Sequence, residues 1–162
     1  MEKGLTGFSR FLHIVSSGWV LILAGVIFVD VVGRALFNHP LLGTAEIVKN
    51  SIVAITFLQI PLAILVGAML RTTILLDAVN PMGRRLIEVG ATLLAIAFFA
   101  ALAIGSFDPL IEAWRIGEYE GEGALRVPTY PVRAVVLVMA ILTTFILVWQ
   151  LFRLLTGKKH TI

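Results

Sequence analysis

The chain has 162 residues, of which 59% are hydrophobic and only 14% are charged, and its formal net charge is +3. Soluble domains contain about 25% charged residues, so this composition excludes an ordinary soluble domain and indicates an integral membrane protein. A basic soluble chain could bind nucleic acid, but a membrane protein needs cytoplasmic lysine and arginine in any case, and we expect no nucleic-acid partner. The chain has no cysteine, which excludes disulfides, thiol nucleophiles and cysteine-based metal sites.

Four apolar stretches are long enough to cross a bilayer, which requires roughly 20 residues of helix. They lie at about 11–37, 45–67, 86–110 and 131–154. We therefore predict an all-α fold, a single four-helix membrane domain over residues 1–162. The first stretch is interpreted as a retained helix rather than a signal peptide, because its apolar run is longer than the usual about 7–15 residues.

The first connection is short and contains a proline. The residue before a proline avoids the helical conformation, so helix 1 should end near Asn38, and Thr44 is a suitable N-cap for helix 2. A loop of this length makes helices 1 and 2 antiparallel neighbours.

The segment "GAMLRTTILLDAVNPMGRR" between helices 2 and 3 is too polar to span and too apolar for an ordinary loop. We predict a short interfacial segment over residues 68–83, lying along the membrane surface and positioned by Arg71 and Asp77. The alternative is an extension of helix 2 followed by a turn at Asn80-Pro81.

Helix 3 contains Ala97, Ala101 and Gly105 at a spacing of four residues. Small residues in such a row let another helix approach closely. We expect packing within the chain, with contact to a partner protein as the alternative.

Lysine and arginine set the orientation, because they concentrate in cytoplasmic segments. Eight of them lie at the termini and in the middle loop, and five lie on the other side. We predict that both termini are cytoplasmic and that the 38–43 bend and the 112–130 loop face outwards.

The usual signatures of catalysis and cofactor binding are absent from the sequence. The three histidines, His13, His39 and His160, do not form a pair suited to haem, and the chain has neither a phosphate-binding loop nor an H-E-x-x-H motif. We therefore expect no enzyme activity, no cofactor and no metal. Helix 3 has no charge between Glu88 and Asp108, which argues against a free-standing ion-coupled carrier.

Charged and amide side chains gather around the first connection. Asp30 and Arg34 share one helix face, and Glu46, Lys49 and Asn50 share a face of the next helix. Because the two helices are antiparallel, all five groups should lie within reach of one another. Two interpretations remain open: the groups pair among themselves, or some of them bind a partner protein in the membrane.

The order of these features resembles a known family. Four helices, "GRALFNHPLLGTAE" after helix 1, an amphipathic stretch ending in an Asp after helix 2, and "GEGALRVPTYP" before helix 4 together resemble the small membrane subunit of tripartite ATP-independent periplasmic (TRAP) transporters. The family pattern corresponds to Arg34, Asn38, Pro40, Glu46, Asp77, Pro128 and Pro131. Thr72-Thr73 stands where many members have Gly-His, so no role of that histidine transfers to this chain.

The resemblance implies a function and partners. Such a subunit is a non-catalytic scaffold in the bacterial inner membrane, bracing a large multi-spanning subunit. The large subunit carries out sodium-coupled uptake of organic acids, such as C4-dicarboxylates or sugar acids, delivered by a periplasmic binding protein. The alternatives are a free-standing small carrier or channel, and a membrane anchor of an unrelated complex.

Two sets of residues are predicted to make contacts outside the chain, besides contacts with membrane lipids. The first is a subunit interface formed by Asp30, Arg34, Asn38, Glu46 and Lys49. The second is a periplasmic contact loop formed by Glu118, Glu120, Glu122 and Arg126. A solvated acidic loop without a partner is the alternative for the second set.

Overall fold

The computed structural model describes residues 2–39, 41–65, 80–121 and 126–156. Four helices account for most of them: α1 (Glu2–Phe37), α2 (Thr44–Leu65), α3 (Pro81–Ile116) and α4 (Tyr130–Leu155). A small antiparallel hairpin of β1 (Tyr119–Glu120) and β2 (Val127–Pro128) connects α3 to α4. All four helices are long and apolar enough to cross a membrane, which confirms the predicted all-α, four-helix fold.

The third helix is longer at both ends than the predicted span. It begins at Pro81, where proline is favourable because the first helical N–H has no intrahelical partner. It ends at Gly117, whose φ of 62° is left-handed and whose N–H is donated to the Ala113 carbonyl. The prediction that 112–130 is a loop is therefore wrong for residues 112–116, which form the last turn of α3.

The predicted interfacial segment lies mostly outside the described residues. Arg71 and Asp77, which were expected to position it, lie there as well. Residues 81–83, which the prediction placed at the end of this segment, belong to the first turn of α3 instead.

The helices pack in an open row in the order α1, α2, α4, α3. Extensive contacts occur only between neighbours in this order. The buried residues of α1 are Ser9, Leu12, Ser16, Leu23 and Asp30. All but Leu12 are seven residues apart, and this narrow stripe suits a single neighbouring helix. The other faces of α1 are exposed, as expected at the end of a row.

The hydrophobic core lies where α2, α3 and α4 meet. It is formed by Ile64 of α2, Phe99 of α3, and Ile146 and Leu147 of α4. Beside it, the Gln150 side-chain amide donates to the Ile64 carbonyl at 3.1 Å. This bond joins α2 to α4 and gives a partner to a carbonyl in the last turn of α2, which has none within its own helix.

The row of small residues on α3 does not pack within the chain. Ala97, Ala101 and Gly105 are exposed, whereas Phe99 and Ala113, on the opposite side of the helix, are buried. The expectation of intrachain packing for this row is therefore wrong. Contact with a partner protein stays a prediction.

Candidate functional site at the loop end of the helices

Both short connections lie at the same end of the helix axes, and this end of the molecule is here named the loop end. Consecutive helices run antiparallel, so the turn between α1 and α2 and the hairpin between α3 and α4 are on the same side. The ion pair between Lys49 of α2 and Glu120 of β1 brings the two connections together.

Asp30 organises the first connection. One carboxylate oxygen, Oδ2, accepts a hydrogen bond from Arg34 Nη2 at 2.7 Å, and Oδ1 accepts from the Leu41 backbone N–H at 2.8 Å. Asp30 is only 6% exposed, whereas the Arg34 side chain is 64% exposed. The carboxylate therefore joins the end of α1 to the start of the turn, while the guanidinium reaches outwards.

Backbone geometry closes the same turn. Asn38 adopts a left-handed φ of 49°, a conformation that asparagine tolerates better than most residues. The His39 N–H then bonds to the Gly33 carbonyl at 3.1 Å. A Cβ on Gly33 would lie 2.8 Å from the His39 carbonyl oxygen, so any other residue at position 33 would force the turn or the helix to shift.

The polar side chains near the start of the second helix bind the hairpin rather than the charged groups of the first helix. Lys49 Nζ lies 2.8 Å from Glu120 Oε1, and Asn50 Nδ2 donates to Glu120 Oε2 at 3.3 Å. One carboxylate thus receives two groups from adjacent positions on α2. The contact joins segments that are 70 or more residues apart in the chain.

The hairpin is also held to the start of α4. Arg133 Nη2 lies 2.9 Å from Glu118 Oε2, and the Glu118 carbonyl accepts hydrogen bonds from the N–H and the hydroxyl of Thr129. These contacts cross the open side of the hairpin and hold its two arms together.

Aromatic rings complete the packing of the loop end. Trp114 and Tyr130 meet edge to face with ring centroids 4.9 Å apart, joining the end of α3 to the start of α4. The Arg126 guanidinium carbon lies 4.6 Å from the centre of the Tyr119 ring, which is a cation–π distance.

The predicted charge cluster is therefore divided in two. Asp30 and Arg34 pair with each other, and Lys49 and Asn50 pair with Glu120 instead of joining them. Glu46 is half-buried and makes no ion pair with another described side chain.

The predicted contact loop is also engaged within the chain. Glu118 and Glu120 form intrachain ion pairs and Arg126 stacks on Tyr119, while Glu122 lies outside the described residues. The subunit interface and the contact loop remain predictions, since these contacts neither require nor forbid a partner.

Sequence reasoning missed the connection from α2 to the hairpin and the pairing of Glu118 with Arg133. The alternation of acidic residues at 118 and 120 was visible, but their partners lie in other elements and no local spacing indicates them. Within the described ranges, no three histidine, aspartate or glutamate side chains are grouped closely enough to hold a metal ion.

Comparison with known families decides the identity. A family model described as "Tripartite ATP-independent periplasmic transporters, DctQ component" matches residues 23–157. The match extends from the second half of α1 to the end of α4. The chain belongs to the DctQ family. This DctQ chain is consequently a transporter component and not an enzyme.

No curated protein and no solved structure matches this DctQ chain. Its function is therefore inferred from the family match, the four apolar helices and the geometry of the loop end.

We predict that Gly33→Ala destabilises this DctQ chain. Alanine improves helix propensity by about 1 kcal/mol, but relieving a Cβ-to-backbone contact of 2.8 Å costs about 1–3 kcal/mol, so a net loss of about 1 kcal/mol is expected. Gly25→Ala is the matched control on the same helix, because its Cβ would meet nothing within 4 Å. Thermal unfolding in detergent measures both, and an equal or higher stability for Gly33→Ala contradicts the described turn.

The link between α2 and the hairpin can be tested by cross-linking, because the native chain has no cysteine. In the double variant Lys49→Cys, Glu120→Cys, a short flexible bismaleimide should join the two thiols, since the native side chains meet at 2.8 Å. The control pairs Lys49→Cys with Glu112→Cys, on the exposed side of α3. Equal cross-linking of both pairs, or of neither, would refute the contact.

Proposed function

We propose that the chain is the small, non-catalytic scaffold subunit of a TRAP transporter and braces the large substrate-translocating subunit in the bacterial inner membrane. Membership of the DctQ family supports this role directly, because the family is one component of a tripartite system. The other two components would be the large multi-spanning subunit and a periplasmic substrate-binding protein.

The open row of helices is the observation that carries the bracing role. Within the chain, only 11% of the most apolar window of α1 and 6% of that of α3 are buried, against 33% for α4. The two outer helices thus contribute little to an internal core. They present long apolar faces in the bilayer, which suits a subunit whose purpose is to support another membrane protein.

The exposed end of the Asp30–Arg34 pair is a candidate contact within that interface. Asp30 is committed to the turn, but Arg34 extends outwards next to the bilayer surface and keeps donors for an acidic group of a partner. Glu46, which is half-buried, lies in the first turn of α2, close to the same connection. Together they offer one charge of each sign to the large subunit.

The hairpin is the candidate contact for the binding protein. Its ion pairs to α2 and α4 hold it in one position, so a docking partner would meet a pre-organised surface at a low entropic cost. In this arrangement Glu118, Glu120 and Arg126 shape the surface. Glu122, outside the described residues, is a further proposed contact.

The proposed substrates are organic acids, such as C4-dicarboxylates or sugar acids, taken up with sodium by the large subunit. Uptake of these acids by the complete three-component system, with and without sodium, tests this assignment. A free-standing carrier is the second candidate, and transport by this chain reconstituted alone would favour it. A membrane anchor of an unrelated complex is the third.

The proposed orientation places both termini in the cytoplasm and the loop end in the periplasm. In intact spheroplasts, a membrane-impermeant maleimide should label Glu112→Cys, at the exposed last turn of α3, but not Thr156→Cys, at the exposed end of α4. Permeabilisation should expose Thr156→Cys. The reverse pattern would establish the opposite orientation.

The interface is tested by purifying the tagged chain in mild detergent and identifying its partners by mass spectrometry. The wild-type chain should recover one large polytopic subunit. Arg34→Ala should weaken that recovery about tenfold, the value of one charge-assisted contact. Arg84→Ala is the matched control. Arg84 also forms an exposed i,i+4 pair, with Glu88, but at the end of the helices opposite the loop end.

The two possible failures of this experiment are distinct. If no large subunit accompanies the wild-type chain, the scaffold role is wrong. If it accompanies wild-type and Arg34→Ala chains equally, and Glu46→Ala chains as well, the scaffold role stands and the interface lies elsewhere.

A further inference from the structure

A lateral groove of about 260 Å³ lies near the loop end, between α2 and α3 and in front of α4. Val53 forms one wall, Gly105 and Pro109 form the other, and Val132 and Arg133 are part of the floor. The groove exists because α2 and α3 both pack on α4 but hardly on each other. Gly105 borders this open space, since a Cβ there would meet nothing within 4 Å.

The size and lining of the groove suit one hydrocarbon chain. Pockets for whole drug-sized ligands have volumes of about 300–1,000 Å³, so this groove is too small for an entire lipid molecule. A further transmembrane helix, about 10 Å across with its side chains, is too wide to enter it. The groove lies along membrane-spanning helices, so an acyl chain is the apolar group that has immediate access to it.

Arg133 supplies a binding group for an anion at the same place. It uses a single nitrogen, Nη2, for both contacts with Glu118, at 2.9 and 3.0 Å. Its Nε and Nη1 donors have no acceptor among the described residues, although the side chain is 37% exposed. Both two-donor edges of a guanidinium include Nη2, which Glu118 occupies, so Nε and Nη1 are left as separate donors that can each give one charge-assisted hydrogen bond to a phosphate oxygen.

We propose that the groove binds one acyl chain of a glycerophospholipid and that Arg133 binds the phosphate of the same molecule. Glu118 holds the Arg133 side chain through Nη2, and the Nε and Nη1 donors remain for the phosphate of a lipid in the groove that Arg133 lines. The lipid then fills the space that α2 and α3 leave open and stabilises their separation. The proposal requires that the helices span a membrane and does not depend on the bracing of a large subunit.

The test measures phospholipid retained by the chain after purification and extensive washing in mild detergent, by native mass spectrometry and by phosphorus assay. The wild-type chain should retain a tightly bound phospholipid. Gly105→Phe, which places a ring in the groove, should abolish retention, and Arg133→Gln should lower it about tenfold. Gly90→Phe is the matched control, because Gly90 also lies on α3 with free space around its Cβ but does not line the groove.

A further variant separates phosphate binding from loosening of the hairpin. Glu118→Gln removes the negative partner of Arg133 but leaves the guanidinium in place, so retention should be unchanged or higher. If retention instead falls as far in Glu118→Gln as in Arg133→Gln, Arg133 acts through the hairpin and the phosphate assignment is wrong.

Two other outcomes overturn the proposal as a whole. One is a washed wild-type chain without phospholipid, and the other is equal retention by the wild-type, Gly105→Phe and Gly90→Phe chains. Recovery of the large subunit is recorded in the same preparations. Absence of lipid from the wild-type chain with normal recovery of that subunit contradicts lipid binding alone. Retention of lipid without recovery of that subunit contradicts the bracing role alone.

Discussion

The packing of two helices on α4 is the interaction on which the rest of the structure depends. Ile146 and Leu147 of α4 contact the core residues of both α2 and α3, and Gln150 donates to the Ile64 carbonyl. In a bilayer, lipid tails are as apolar as leucine, so helices associate through close packing and through polar groups that find no partner elsewhere. The Gln150 bond is the polar contribution, and it gives the packing a defined register.

The order of the helices follows from this central position. Since α2 and α3 both pack on α4, α1 makes extensive contacts only with α2 among the described helices, and the row stays open instead of closing into a four-helix bundle. The loop end compensates with polar contacts: Asp30 closes the first turn, and Glu118 and Glu120 hold the hairpin to α4 and α2. Packing thus dominates along the helices, and charge dominates where they leave the hydrocarbon.

Composition and local spacing predicted the fold class, because apolar runs of about 20 residues in a chain of this composition have few other interpretations. The i,i+4 relation of Asp30 and Arg34 also indicated their pairing. The C-terminal end of α3 was missed because Glu112 and Arg115 resemble loop residues. A helix that has left the hydrocarbon tolerates charges, however, and this one continues until Gly117.

Contacts between distant segments could not be predicted from the sequence. Glu120 has two partners on α2, and their choice depends on how a short hairpin folds back over the helix ends, which no periodicity records. The exposure of Ala97, Ala101 and Gly105 could not be predicted for the same reason. A row of small residues indicates that a helix can approach, but not whether that helix belongs to the same chain.

The open row also has a consequence for biosynthesis. The α1–α2 hairpin is complete, with its Asp30 closure, as soon as the first 65 residues have entered the membrane. The helix α2 packs on α4 as extensively as on α1, however, and the Gln150–Ile64 bond joins residues 86 positions apart. The second face of α2 therefore lacks its partner helix until α4 is inserted. The packing of α2 within the chain is completed only at that point.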